Sequence, residues 1–130
     1  MQLQTSTYAH ADLTGRILKC AYETHRVLGP GLLESTYRVC LAHELTRNGL
    51  VVRQEVPIPI KFKEIDIEAS YRADLLVDDC VLLELKAVEK LLPIHEAQTL
   101  TYLRHSNLKV GLLINFNVPR LKLGLRRFIR

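Results

Sequence analysis

The chain has 130 residues, 48% hydrophobic and 25% charged, a balance that suits one globular domain and excludes a disordered chain. Its formal charge of +4 is unevenly placed: Arg120, Lys122, Arg126, Arg127 and Arg130 share an acid-free end, which leaves 13 bases against 14 acids over residues 1–119. Three widely spaced cysteines, at 20, 40 and 80, argue against a secreted disulfide framework. The opening Met-Gln-Leu-Gln-Thr-Ser-Thr lacks the layout of a signal peptide, and no apolar run approaches the ~18 residues of a membrane span. A soluble, cytoplasmic protein with no membrane association is expected.

In chain order, Leu13, Ile17, Cys20, Ala21, Thr24, Val27 and Leu28 recur at helical spacing, with Asp12 placed to suit the helix dipole. Gly29-Pro30-Gly31 ends that helix. Leu33, Tyr37, Cys40, Leu41 and Leu45 predict a second helix, closed by Asn48-Gly49. Val51 to Ile60 is rich in β-branched residues and broken by Pro57 and Pro59, which predicts a strand with an irregular or edge portion. Ile65 and Ile67 alternate with charged residues. Tyr71 to Val77 and Val81 to Ala87 flank Asp78-Asp79 as a hairpin. Pro93 suits the first turn of a helix over Ile94 to His105, and Val110 to Ile114 reads as a short buried strand. From Pro119 onward the pattern reads as helical, with Leu121, Leu123, Leu125, Phe128 and Ile129 turned inward and the bases solvated; the same basic end could contact nucleic acid. No repeat or linker interrupts residues 1–130, so a single α/β domain is expected, a mixed sheet flanked by helices in the order α-α-β-β-β-β-α-β-α.

The hairpin carries charges where a core strand should have none. Glu84 and Lys86 interrupt Val81-Leu82-Leu83-Glu84-Leu85-Lys86 and, two apart, share a face. Asp74 interrupts the partner strand. Pairing Val77 with Val81 leaves a three-residue loop and sets Asp74 opposite Glu84, whereas pairing Val77 with Cys80 sends Asp74 to the other face. Two carboxylates ~4 Å apart at an effective dielectric near 20 repel by about 4 kcal/mol. Lys86 offsets part of this. A hard divalent cation would offset more, and Mg²⁺ or Mn²⁺ suits such oxygen ligands. Cation and lysine together are the chemistry of phosphodiester hydrolysis. The plain alternative is a structural salt bridge between Lys86 and an acid.

Glu34 shares a helix face with Tyr37 and Leu41, which lets it join the acids or merely sit well in a first helical turn. His95, Gln98 and Tyr102 form a polar stripe able to meet a phosphate or a water, or to face solvent. A lone histidine such as His95 is more often a hydrogen-bonded structural residue. The cysteines lack zinc spacing and read as core or loop thiols.

Taken together, these stretches resemble the GxxExxY proteins of the PD-(D/E)xK nuclease-like superfamily. The naming motif stands as Gly31-Leu32-Leu33-Glu34-Ser35-Thr36-Tyr37, after Leu28-Gly29-Pro30. The superfamily's Asp and Glu-x-Lys stand as Asp74 and Glu84-Leu85-Lys86. Similar runs are Glu89 to Gln98 and Gly111 to Phe116, so the likeness extends over residues ~12 to 129. Lys63-Glu64 and Ser70 depart from the usual pattern, which often has a Lys-Gly turn and a Gly at these places. The resemblance implies a restriction-endonuclease-like core, α-β-β-β-α-β. It implies a catalytic set of Glu34, Asp74, Glu84, Lys86 and Gln98, with Glu34, Asp74 and Glu84 holding Mg²⁺ or Mn²⁺ and Lys86 orienting or activating the nucleophile. Arg72, Lys122, Arg126 and Arg127 are candidates for holding the phosphate backbone of DNA or RNA. The other expectation is a catalytically inactive module that keeps the fold and binds nucleic acid or a protein. No separate recognition domain is visible, and a homodimer would supply the missing binding area.

Overall fold

The computed structural model describes residues 9–68 and 71–130, so the opening residues and Ser70 read above lie outside the described residues. Two helices, α1 (Ala11–Leu28) and α2 (Glu34–Arg47), come first. Five strands follow: β1 (Val52–Pro57), β2 (Ile60–Phe62), β3 (Ile65–Ile67), β4 (Arg72–Val77) and β5 (Val81–Lys86). Helix α3 (Pro93–Ser106) leads to β6 (Val110–Asn115), and a 3-10 turn (Leu121–Gly124) leads to β7 (Leu125–Ile129). The main sheet has the order β1-β4-β5-β6-β7, and β2 and β3 form a separate hairpin. Only β5 and β6 run parallel, joined through α3, and the other neighbours are antiparallel. No helix among the described residues is long and apolar enough to cross a membrane.

Alternation along β5 divides the core. Val81, Leu83 and Leu85 face α1 and α2 and pack with Ile17, Tyr37 and Leu41. Leu82 faces α3 and packs with Tyr102 and Leu103. Glu84 and Lys86, in step with Leu82, are therefore presented toward α3. The Val51–Ile60 stretch splits as its prolines suggest. Pro57 ends β1 at the sheet edge, and Ile58 turns into the α3-side core while its N–H donates to the Tyr71 carbonyl at 2.9 Å.

The C-terminal segment corrects the sequence reading, because it is a strand and not a helix. β6 is buried along its whole length, and a strand so deep cannot leave one edge of its backbone unpaired. β7 supplies the partner, from Ile114↔Leu125 to Val110↔Ile129. The 3-10 turn before it lies against β6 so tightly that a Cβ at Gly124 would run into the Asn115 carbonyl oxygen. Leu121 is buried as expected, but Leu123 and Ile129 point outward.

Candidate active site

The β4–β5 register is the one that aligns the acids. Val77↔Val81, Leu76↔Leu82 and Leu75↔Leu83 are paired, and the next opposed positions are Asp74 and Glu84. There the regular ladder stops. Glu84 Oε1 accepts from the Asp74 backbone N–H at 3.1 Å, and Asp74 Oδ2 accepts from the Leu85 N–H at 2.7 Å. Each carboxylate thus replaces a main-chain partner across the gap.

Strict alternation along β4 fails at the same place. Leu75 and Val77 enter the α1/α2 core, yet Ala73, of the same parity, enters the α3 core. Opposite this switch, between Gln54↔Leu75 and Val56↔Ala73, Glu55 of the edge strand has φ 51°, in the left-handed region. The pleat breaks where Asp74 must lie between the strands instead of projecting from them.

The electrostatics follow from burial. Glu84 is 5% exposed. Its carboxyl is pushed up to about 8, first by burial and next by the charge of Asp74; the hydrogen bond from Asp74 N–H and the charge of Lys86 pull the other way without cancelling. Asp74 is also raised, by burial first, against the lowering pull of the Leu85 N–H, while Glu34 adds repulsion and Lys86 and Arg38 add attraction. Among the described residues Lys86 makes no direct ion pair with either acid. Its Nζ instead donates to Gln98 Oε1 at 3.4 Å, and Gln98 Nε2 donates to the Tyr102 hydroxyl at 3.1 Å. The simple salt-bridge alternative does not describe this site.

Glu34 opens α2 above the strand ends. It is exposed, and its Oε2 accepts from the Ala87 N–H at 3.4 Å, bordering a hollow of about 370 Å³ lined also by Leu32, Leu33 and Ser35. Tyr37, on the same helix face, is an anchor. Its ring stacks on Phe116 with centroids 4.6 Å apart, and its hydroxyl donates to the Gly29 carbonyl at 2.5 Å and accepts from Leu32 N–H at 3.2 Å. The loop this clamps has φ 68° at Gly29 and 102° at Gly31, which side-chain-bearing residues rarely adopt. Asn115 is a positioning residue that sequence reasoning missed. Fully buried, it accepts from Val88 N–H at 3.0 Å and donates to the Val88 carbonyl at 2.9 Å, fixing the exit of β5 beside Ala87. A polar side chain closing the apolar run Val110–Ile114 was the available clue.

The other sequence candidates are dispersed. His95 accepts the Leu92 N–H at 3.0 Å and caps α3, the structural role its isolation suggested. Arg72 is exposed at the start of β4, and Lys122 is exposed in the 3-10 turn. Arg126 shares a row with Glu84 through Glu84↔Leu113↔Arg126, two strand spacings or about 10 Å away, and pairs with Glu96 of α3 at 3.7 Å. Arg127 lies on the opposite face of β7 and reaches the Ala9 carbonyl at 3.4 Å. A cavity of about 730 Å³ between β1, β4 and the end of α3 has none of Glu34, Asp74 and Glu84 in its wall.

Among the described residues no three His, Cys, Asp or Glu side chains converge as a ready metal cage. The donor chemistry still fits a hard cation. Asp74 Oδ1 and Glu84 Oε2 take no hydrogen bond from another described residue, and a half-buried and a buried carboxylate face a single ammonium. Mg²⁺ commonly binds one or two carboxylates and fills its other positions with waters and phosphate oxygens.

A family model described as the PD-(D/E)XK nuclease superfamily matches residues 11–128. The match reaches the superfamily and does not single out the GxxExxY branch. Neither the curated proteins nor the solved structures yield a match.

Proposed function

The chain belongs to the PD-(D/E)XK nuclease superfamily, and on that premise we propose that it hydrolyses phosphodiester bonds of DNA or RNA with a bound Mg²⁺ or Mn²⁺. The observation that carries this reading is the neighbouring pair of carboxylates, half-buried Asp74 and buried Glu84, each raised by desolvation and by acidic neighbours and faced by one lysine. Asp74 and Glu84 would hold the cation, with Glu34 above them as a further ligand or a ligand to its water. When bound, the ion would acidify a water and draw charge from the phosphate. Lys86 places an ammonium beside the reacting phosphate, where it orients the attacking water and stabilises the growing negative charge. Gln98 holds that ammonium in place through Oε1, and Tyr102 holds Gln98. Arg72, Lys122 and Arg126 would supply contacts to the nucleic-acid backbone, Arg127 lying on the opposite face of β7, and a homodimer would enlarge that surface.

A non-hydrolytic binding module is the second reading. The specific observation on its side is that Glu34 stands apart from Asp74 and Glu84 and no three-ligand cage is formed among the described residues. Thermal unfolding with added Mg²⁺ or Mn²⁺ separates the two. Hydrolysis requires that the metal raise the Tm, that Glu84→Gln and Asp74→Asn abolish the rise, and that Lys86→Ala lose cleavage of single- or double-stranded DNA or RNA. A wild-type protein indifferent to both metals overturns the hydrolytic reading.

A further inference from the structure

We propose that Tyr71 captures an unpaired base next to the reacting phosphate, so that this site takes single-stranded nucleic acid in preference to duplex; the inference rests on the hydrolytic reading for its substrate and on separate residues for its geometry. Tyr71 stands three positions before Asp74, immediately before Arg72. It is 48% exposed, yet it is held at two points. Its carbonyl accepts from Ile58 N–H at 2.9 Å, and its ring meets Tyr102 at 6.3 Å between centroids with the planes inclined by 60°.

Tyr102 is what ties this ring to the chemistry. It is buried, its hydroxyl accepts from Gln98, and its own proton is held more tightly because of burial and then the charge of Glu84. Tyr71, Tyr102, Gln98 and Lys86 therefore form one continuous layer from an open aromatic surface to the ammonium. A supported aromatic surface joined through Tyr102 and Gln98 to the Lys86 ammonium offers what a nucleotide needs: a stacking face for the base and a cation for its phosphate. A base inside a duplex is already stacked on both faces, and withdrawing it costs a few kcal/mol, which an unpaired strand avoids.

The test uses the whole chain and end-labelled strands of one length: an oligothymidylate, that strand annealed to its complement, and an abasic deoxyribose-phosphate strand. Binding is read by anisotropy in EDTA, where metal-dependent cleavage is suppressed. The wild type is expected to prefer the base-bearing single strand. Tyr71→Ala should weaken that complex between about fivefold and a hundredfold. It should leave the abasic strand unchanged, and Tyr71→Phe should behave as wild type. Equal effects of Tyr71→Ala on all three strands, no effect at all, or no binding of any strand overturns the proposal. Unchanged Tm values for the variants confirm that folding is intact. Cleavage of the same strands with Mg²⁺ then separates the two ideas. A protein that selects bases through Tyr71 but cuts nothing refutes hydrolysis and retains base capture. One that cuts base-bearing and abasic strands alike, with Tyr71→Ala unaltered, retains hydrolysis and refutes base capture.

Discussion

A carboxylate buried beside another carboxylate can lower its energy by taking a proton or by taking a cation, and Glu84 has both routes open. With its folded value pushed to about 8 from an ordinary 4.5, the folded protein holds a proton that the unfolded chain has released across that interval. Stability from this group is therefore complete below the lower value and is lost as pH rises through the upper one. For one proton the slope approaches about 1.4 kcal/mol per pH unit, and the raised Asp74 acts with the same sign. In EDTA, Tm should fall as pH rises from about 5 to about 8, and Glu84→Gln, which cannot release a proton, should flatten the curve and stabilise the protein at the alkaline end. Added Mg²⁺ should oppose the fall most strongly at high pH, where the carboxylates are free of protons. A wild-type curve parallel to that of Glu84→Gln in EDTA would refute the burial argument. The charges themselves were legible in the sequence, since Asp74, Glu84 and Lys86 interrupt apolar strands. The way Asp74 meets them was not, because period-two alternation has no place for a strand that changes faces at one residue.

Between elements, the precision of the site depends on two clamps that contain no acid. Tyr37 locks the glycine loop that starts α2 and hence sets Glu34, and Asn115 locks the exit of β5 and hence sets Ala87, the group Glu34 touches. Tyr37→Phe keeps the stack on Phe116 but leaves the Gly29 carbonyl and Leu32 N–H without the hydroxyl, a loss of about 0.5–1.5 kcal/mol for a part-buried hydrogen bond. It should lower Tm and weaken Mg²⁺ binding together. Glu34→Gln, at an exposed position, should weaken Mg²⁺ binding with Tm in EDTA unchanged. If Tyr37→Phe unfolds as the wild type does, the clamp is not what fixes the loop. Sequence reading located α1 and α2 through their apolar patterns and clear stops, such as Gly29-Pro30-Gly31, α3 through Pro93 in its first turn, and the β4–β5 hairpin through two apolar runs around Asp78-Asp79. It misread the last element, because Leu121, Leu125 and Phe128, spaced four and three apart, fit an amphipathic helix, and only the unpaired edge of β6 selects the strand Leu125–Ile129.

Across the whole molecule, that correction changes what the basic end can do. A helix would have displayed its bases around a cylinder; a strand divides them between two faces. Arg126 falls on the α3 face in the row of Glu84, with Lys122 in the turn just before it, whereas Arg127 falls on the α1 face near Ala9. The near-neutral body and the net charge of +4 mean that these few positions dominate any long-range attraction for a polyanion. If the strand crosses the α3 face to reach Asp74 and Glu84, each phosphate neutralised by Lys122 or Arg126 contributes about 0.7 to the slope of log affinity against log salt for single strands. Alanine at either should reduce that slope by about this amount and weaken binding to all sequences alike, while Arg127→Ala should leave the slope unchanged. The equilibrium constants are read in EDTA over a series of salt concentrations, so that hydrolysis does not enter. A slope lowered by Arg127→Ala and untouched by Arg126→Ala would place the nucleic acid on the α1 face, away from the acids, and would favour a binding module over a nuclease.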